Sequence, residues 1–115
     1  MSILEELTAV ITPFYTVETG VFSAETPPDE YCVLTPMGDW FELYGDNLPS
    51  VEINSVRISI YSKTNYLSKV RRVKKKLLLA DFTITDSLFV EREYDTGYNH
   101  YEIDVQKFYD FDINI

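Results

Sequence analysis

The stretch 56–79 reads Val56-Arg57-Ile58-Ser59-Ile60-Tyr61-Ser62-Lys63-Thr64-Asn65-Tyr66-Leu67-Ser68-Lys69-Val70-Arg71-Arg72-Val73-Lys74-Lys75-Lys76-Leu77-Leu78-Leu79. Its first part alternates: Val56, Ile58 and Ile60 on one side, Arg57, Ser59 and Tyr61 on the other. That is a strand with one core face and one polar face. Its second part changes period. Tyr66, Val70, Val73 and Leu77 follow at four, three and four, a stripe within about 60° on a helical wheel. The switch predicts a strand followed by a helix over about 64–79, capped by Ser62, Thr64 or Asn65. Leu67 and Leu78 flank the stripe. Leu79 falls among the cations, which means that the helix has ended there or that Leu79 meets a partner or the next strand.

Outward from this unit the chain reads as follows. Ser2-Ile3-Leu4-Glu5 has the capping-box pattern, and Ile3, Leu4, Leu7, Val10 and Ile11 share a face, so a helix is expected over about 3–12. Pro13 ends it and should push Thr12 out of the helical region. Residues 14–50 are the least regular. Short strands are expected near 14–17, 31–34 and 40–44, with Thr35-Pro36-Met37-Gly38-Asp39 as a turn or loop and further breaks at Gly20, Pro27-Pro28 and Gly45-Asp46-Asn47. Val51 and Ile53 lie out of phase with Val56, which predicts a bulge or the strand's true start near Asn54-Ser55. After the second helix, a break at Asp86-Ser87 precedes a hairpin over about 88–107 turning at Asp95-Thr96-Gly97. Its return strand sets Tyr101, Ile103 and Val105 against His100, Glu102 and Asp104. The end, 108–115, alternates aromatic and acid and reads as a strand extension or an arm. The sum is one domain over 1–115 of the α+β class: a single antiparallel-rich sheet with two helices packed on one face.

Composition sets bounds. The chain has 115 residues, a formal charge of −9, 45% hydrophobic and 25% charged residues, nine Tyr and seven Phe. This is globular composition, and the aromatics suit strands and interfaces. The charge is divided: residues 1–56 hold ten acidic and no basic side chains, and 57–115 hold ten basic and nine acidic, so the halves carry −10 and +1. Eight of the ten cations lie in 56–79. Such division suits head-to-tail contact between copies or with a partner, unless the fold interleaves the halves. Glu5 and Glu6 stand where a signal peptide would carry cations, and no stretch approaches a membrane span, so cytoplasmic folding is expected.

No catalytic signature emerges. The single Cys32 lies in an apolar run and reads as a buried side chain. The single His100 reads as a surface or interface group on a polar strand face. The carboxylate pairs Glu91/Glu93, Glu102/Asp104 and Asp110/Asp112 read as solvated strand faces rather than a metal or acid–base site. The cations around 69–76 wrap their helix rather than forming a stripe, and the net charge opposes steering to DNA, so protein contact or solvation is the reading. Neither an enzyme, a cofactor nor a metal is expected. Candidate partner-contact residues follow from charge and aromatic exposure: Lys69, Arg72, Lys74, Lys75, Lys76 and Leu79 on the second helix, Trp40, Tyr44 and Asp46 before the central strand, and Tyr109 and Phe111 near the end.

Certain stretches resemble a known family. They are Asp46-Asn47-Leu48-Pro49, Val56-Arg57-Ile58-Ser59-Ile60-Tyr61-Ser62-Lys63 with Asn65-Tyr66, Ala80-Asp81-Phe82-Thr83-Ile84-Thr85-Asp86, and Val90-Glu91-Arg92-Glu93-Tyr94-Asp95-Thr96-Gly97-Tyr98-Asn99-His100-Tyr101. In that order, over roughly 20–107, they resemble the tail-completion proteins (tail-to-head joining or tail-terminator proteins) of long-tailed phages and prophages of Gram-positive bacteria. The resemblance implies a non-enzymatic structural adaptor without a cofactor. It would assemble as a ring, commonly a hexamer, where the tail tube meets the head connector. Its partners would be the tail-tube and head-connector proteins. DNA would pass through the ring without specific recognition. The protein would reside in the host bacterial cytoplasm during assembly and then in the virion neck. The competing expectation is a small acidic regulatory or inhibitory binding protein that mimics nucleic acid.

Overall fold

The computed structural model describes residues 2–19, 28–44 and 48–110, with the backbone alone at 43, 44 and 48–50. The elements run α1 (Ile3–Ile11), β1 (Thr16–Thr19), β2 (Glu30–Tyr44), β3 (Leu48–Ser62), α2 (Leu67–Leu79), β4 (Thr83–Arg92) and β5 (Asn99–Asp110). The strands form one sheet in the order β1-β2-β3-β5-β4, with β1 parallel to β2 and every other pair antiparallel. The α+β expectation holds: one mostly antiparallel sheet with two helices.

The alternation in β3 decides which face is the core. Val56, Ile58 and Ile60 pair with Val105, Ile103 and Tyr101 of β5, and Ile58 and Ile60 with Leu34 and Cys32 of β2. Side chains directly opposite share a face. Ile3, Leu7 and Ile11 of α1 and Val70, Val73 and Leu77 of α2 join them in one buried cluster. Both helices therefore cover the same face, each through the apolar stripe its spacing announces.

Local signals explain the ends. The Glu5 N–H donates to the Ser2 hydroxyl at 3.2 Å, closing the N-cap of α1. Thr12 keeps helical dihedrals (φ −50°, ψ −37°) although Pro13 follows, and its N–H still donates to the Thr8 carbonyl. The expectation that Pro13 would displace it is corrected: the intrahelical bond outweighs the steric bias. α2 starts at Leu67, later than expected. The Asn65 side chain accepts from the Leu67 N–H at 3.1 Å, while the Ser62 hydroxyl accepts from Thr64 and stays in the strand.

Three further expectations are corrected. First, 35–39 is no turn: β2 runs unbroken through it, and the Pro36–Gly38 irregularity appears as a register shift against Val56 and Ser55 of β3. Among the described residues β1 covers β2 at Tyr31 to Leu34 and none pairs with Pro36 on that side, where a missing N–H is tolerated. Second, of the bulge or strand start expected near Asn54-Ser55, β3 does not start there, and the irregularity opposite Ser55-Val56 has its extra residue on β2; β3 pairs with β5 without interruption from Val51 to Ser62. Third, the break expected at Asp86-Ser87, as a separation of two strands or a kink, takes the second form and separates no strands. β4 is one strand with register shifts at Ile84/Asp86 and Phe89/Glu91. The β4–β5 turn carries Gly97 at φ 81°, a left-handed position that suits glycine. β5 extends to Asp110, so 108–110 is strand and not the start of an arm; 111–115 lies outside the described residues.

Candidate functional site

Two surfaces remain after the core is assigned. The first is the outer side of α2. Lys69, on one flank of its buried stripe, forms an ion pair with Glu30 of β2. Lys74, on the other flank, donates to the Tyr101 hydroxyl of β5 at 2.8 Å. Burial raises the Tyr101 pKa, but the Lys74 ammonium and a Ser87 hydrogen bond outweigh it and the net shift is downward. These two candidate contact residues thus serve the fold. Arg71, Arg72, Lys75 and Lys76 point outward and exposed, and no ion pair engages them among the described residues. Between them stand Leu67 and Leu78, each 58% exposed, and Leu79, 79% exposed. The leucines expected to flank the core stripe are therefore solvent-facing. Leu79 is the last helical residue. Asn65, Leu67, Ser68, Arg71, Arg72 and Lys75 line a surface depression of about 500 Å³.

The second surface is the sheet face turned away from the helices. At one end, Tyr31, Tyr61 and His100 stack across β2, β3 and β5, with ring centroids 4.8 and 4.4 Å apart. Tyr98 meets Tyr31 edge-on and donates its hydroxyl to the Pro28 carbonyl at 2.6 Å. Burial pushes the Tyr31 phenol up to about 12, with Tyr61 and Tyr98 adding to it. His100, expected as a surface or interface group, is mostly buried in this stack. In the middle, Arg57 grips Asp104 with two hydrogen bonds of 2.9 and 3.1 Å, and Glu102 stands 3.6 Å away. At the other end, the register sets Trp40, Ile53 and Phe108 in one row across β2, β3 and β5. Ile53 is buried outside the main cluster while Trp40 and Phe108 are exposed. The reversed phase of Ile53 thus reflects a second small apolar cluster on the helix-free face.

The remaining candidates divide. Trp40 is exposed, as a contact residue requires. Tyr109 is turned inward: its hydroxyl donates to Glu6 of α1 at 2.8 Å, beside Lys107, which donates to the same oxygen at 2.8 Å. Burial and the Glu6 carboxylate push its phenol pKa well up. Tyr109 thus ties β5 to α1 across 103 residues of chain. Asp46, Phe111 and the side chain of Tyr44 lie outside the described residues. Fold and charge are coupled: Glu6–Lys107, Asp29–Lys63 and Glu30–Lys69 each join the acidic half to the basic half. The halves meet at these three pairs, while Arg71, Arg72, Lys75 and Lys76 on the outer face of α2 have no ion pair among the described residues.

No helix among the described residues is long and apolar enough to cross a membrane. Together the fold and surfaces define an α+β protein with a one-sided core, a cationic helix and an aromatic sheet face. No family model matches this sequence, and no match is found among curated proteins.

Proposed function

We propose that the chain is a non-enzymatic structural adaptor, a ring subunit that completes a phage tail and joins it to the head connector. The reading starts from the resemblance of 46–49, 56–66, 80–86 and 90–101 to tail-completion proteins. The observation that carries it is the division of labour in α2. Val70, Val73 and Leu77 serve the core, whereas Arg71, Arg72, Lys75 and Lys76 with three exposed leucines face outward. Mixed cationic and apolar exposure on a rigid helix fits protein contact. The helix-free sheet face, with Trp40 and Phe108 exposed, offers a second and different surface, and a ring subunit needs two that differ. The nucleic-acid-mimic reading is weaker, because three acids of the first half are neutralised internally. In this role the protein would fold in the host cytoplasm and finish in the virion neck.

The test is electron microscopy of particles assembled without this protein. Separate heads and tails, or tails of uncontrolled length, are expected. Normal joined particles would exclude the role.

A further inference from the structure

Along the valley between α2 and the edge strand β4, three apolar side chains stand exposed, Leu67, Leu78 and Phe89, beside the cations of α2. The valley's position follows from two contacts. Lys69 reaches β2 and Lys74 reaches β5, on opposite flanks of the buried stripe. The sheet order is β2-β3-β5-β4, so the Lys74 flank faces β4. At about 100° per residue, Leu67 and Leu78 lie about 20° apart and next to Lys74, on that same flank. Below them Phe89 of β4 lies on the helix-covered face: it pairs with Tyr101 and stacks on Tyr66 at 5.8 Å. Phe89 is nevertheless 46% exposed. Arg71 and Lys75 stand next to Leu67 on the outer face of α2, where they line a depression with Asn65, Ser68 and Arg72.

We infer that this valley receives residues 111–115 of a second copy of the chain. That segment reads Phe111-Asp112-Ile113-Asn114-Ile115 and follows Asp110. In extended form, Phe111, Ile113 and Ile115 share one side, and the polar residues share the other. The apolar side spans about 13 Å, against about 16 Å between Leu67 and Leu78 along the helix. Laid in the valley, it sets Phe111, Ile113 and Ile115 on Leu67, Leu78 and Phe89. Asp110 and Asp112 then turn up toward Arg71 and Lys75. The donor must be another copy. β4 begins at Thr83, opposite Gln106, and Asp110 lies four residues further out, about 13 Å beyond that end. A segment of the same chain would use most of its length returning to the valley's mouth. The inference does not rest on the tail-completion reading; that reading is decided on particles, this one in solution.

The experiment titrates a labelled peptide of residues 108–115 into the full chain carrying Phe111→Asp and Ile113→Asp, so that its own segment does not compete. Saturable binding below about 1 mM is expected, weakened at least tenfold by Leu67→Asp with Leu78→Asp. Arg71→Gln with Lys75→Gln should weaken it and flatten its salt dependence. A photo-crosslinker at peptide position 113 should label α2 or β4 of the chain that keeps both leucines. Absence of binding at 1 mM, equal binding to the leucine variants, or crosslinking elsewhere would overturn the inference.

Discussion

Lys107 donates to Glu6 Oε2 at 2.8 Å, so the last strand holds the first helix by a charge-assisted bond. Tyr109 donates to the same oxygen. The short α1 is marginal by itself, and these bonds fix which way its apolar stripe faces. Glu6→Gln should cost about 1–2 kcal/mol, more than Tyr109→Phe, which removes only one donor. Urea denaturation followed by circular dichroism measures both.

The same site sets a pH dependence. For Glu6, burial raises the carboxyl pKa, but the Lys107 and Tyr109 hydrogen bonds outweigh it and the folded value is lowered. For Glu30, the Lys69 and Thr64 hydrogen bonds lower it directly. A lowered folded pKa contributes stability above the unfolded value, near 4.5, and that contribution is lost as pH falls through the folded pKa. Stability should therefore decline on acidification below about pH 4.5. Glu6→Gln with Glu30→Gln should flatten that limb while lowering stability at pH 7. An acid limb unchanged by the double substitution would contradict the assignment.

Arg57 and Asp104 face each other across β3 and β5 on the helix-free face. Their two bonds match the planar fork of a guanidinium, which Lys cannot reproduce. Arg57 is over a third exposed, so its worth is modest. Arg57→Ala should cost about 0.5–1.5 kcal/mol. Arg57→Lys should recover little of it in thermal melts, because only one bond can re-form.

Where one period governed a segment, the sequence was legible. Val56, Ile58 and Ile60 declared a core face, and Val70, Val73 and Leu77 declared another, because each repeats at the spacing of its own backbone. Pro36 and Gly38 misled, since both punctuate turns, yet a bulge accommodates them inside β2, on a side that no described residue pairs. The Tyr31–Tyr61–His100 stack and the Glu6–Lys107–Tyr109 cluster had no local signal. Each depends on strand register and helix placement, and only the pairing brings their members together. For the candidate surface, charge singled out Lys69, Arg72, Lys74, Lys75 and Lys76 of one helix alike. Lys69 and Lys74 look the same as their neighbours in sequence, and only the fold gives them partners.

That difference within α2 is testable. Arg72→Glu with Lys75→Glu and Lys76→Glu alters exposed groups that lack ion partners among the described residues, and should change stability by less than about 1 kcal/mol. Under the adaptor reading the triple variant should block head–tail joining. Lys74→Glu places an acid against the Tyr101 hydroxyl and removes its donor, and should cost stability by itself. Joining assays beside thermal melts separate the two. A triple variant that unfolds, or that joins heads and tails normally, would refute this division of roles.

Cys32 is the single cysteine of the chain. It lies fully buried between Leu34 and Ile60 in the core cluster, and burial alone pushes its thiol up to about 12. Thiolate is the reactive species, so at pH 8 the native thiol is both protonated and unreachable. Its reaction with a thiol reagent should be far slower than in urea and should track unfolding rather than reagent concentration once opening limits the rate. Cys32→Ser puts a hydroxyl among apolar neighbours and should cost about 1–3 kcal/mol, whereas Cys32→Ala should cost less. Rapid, stoichiometric labelling of the native protein at pH 8 would show that the core around β2 opens far more readily than its packing implies.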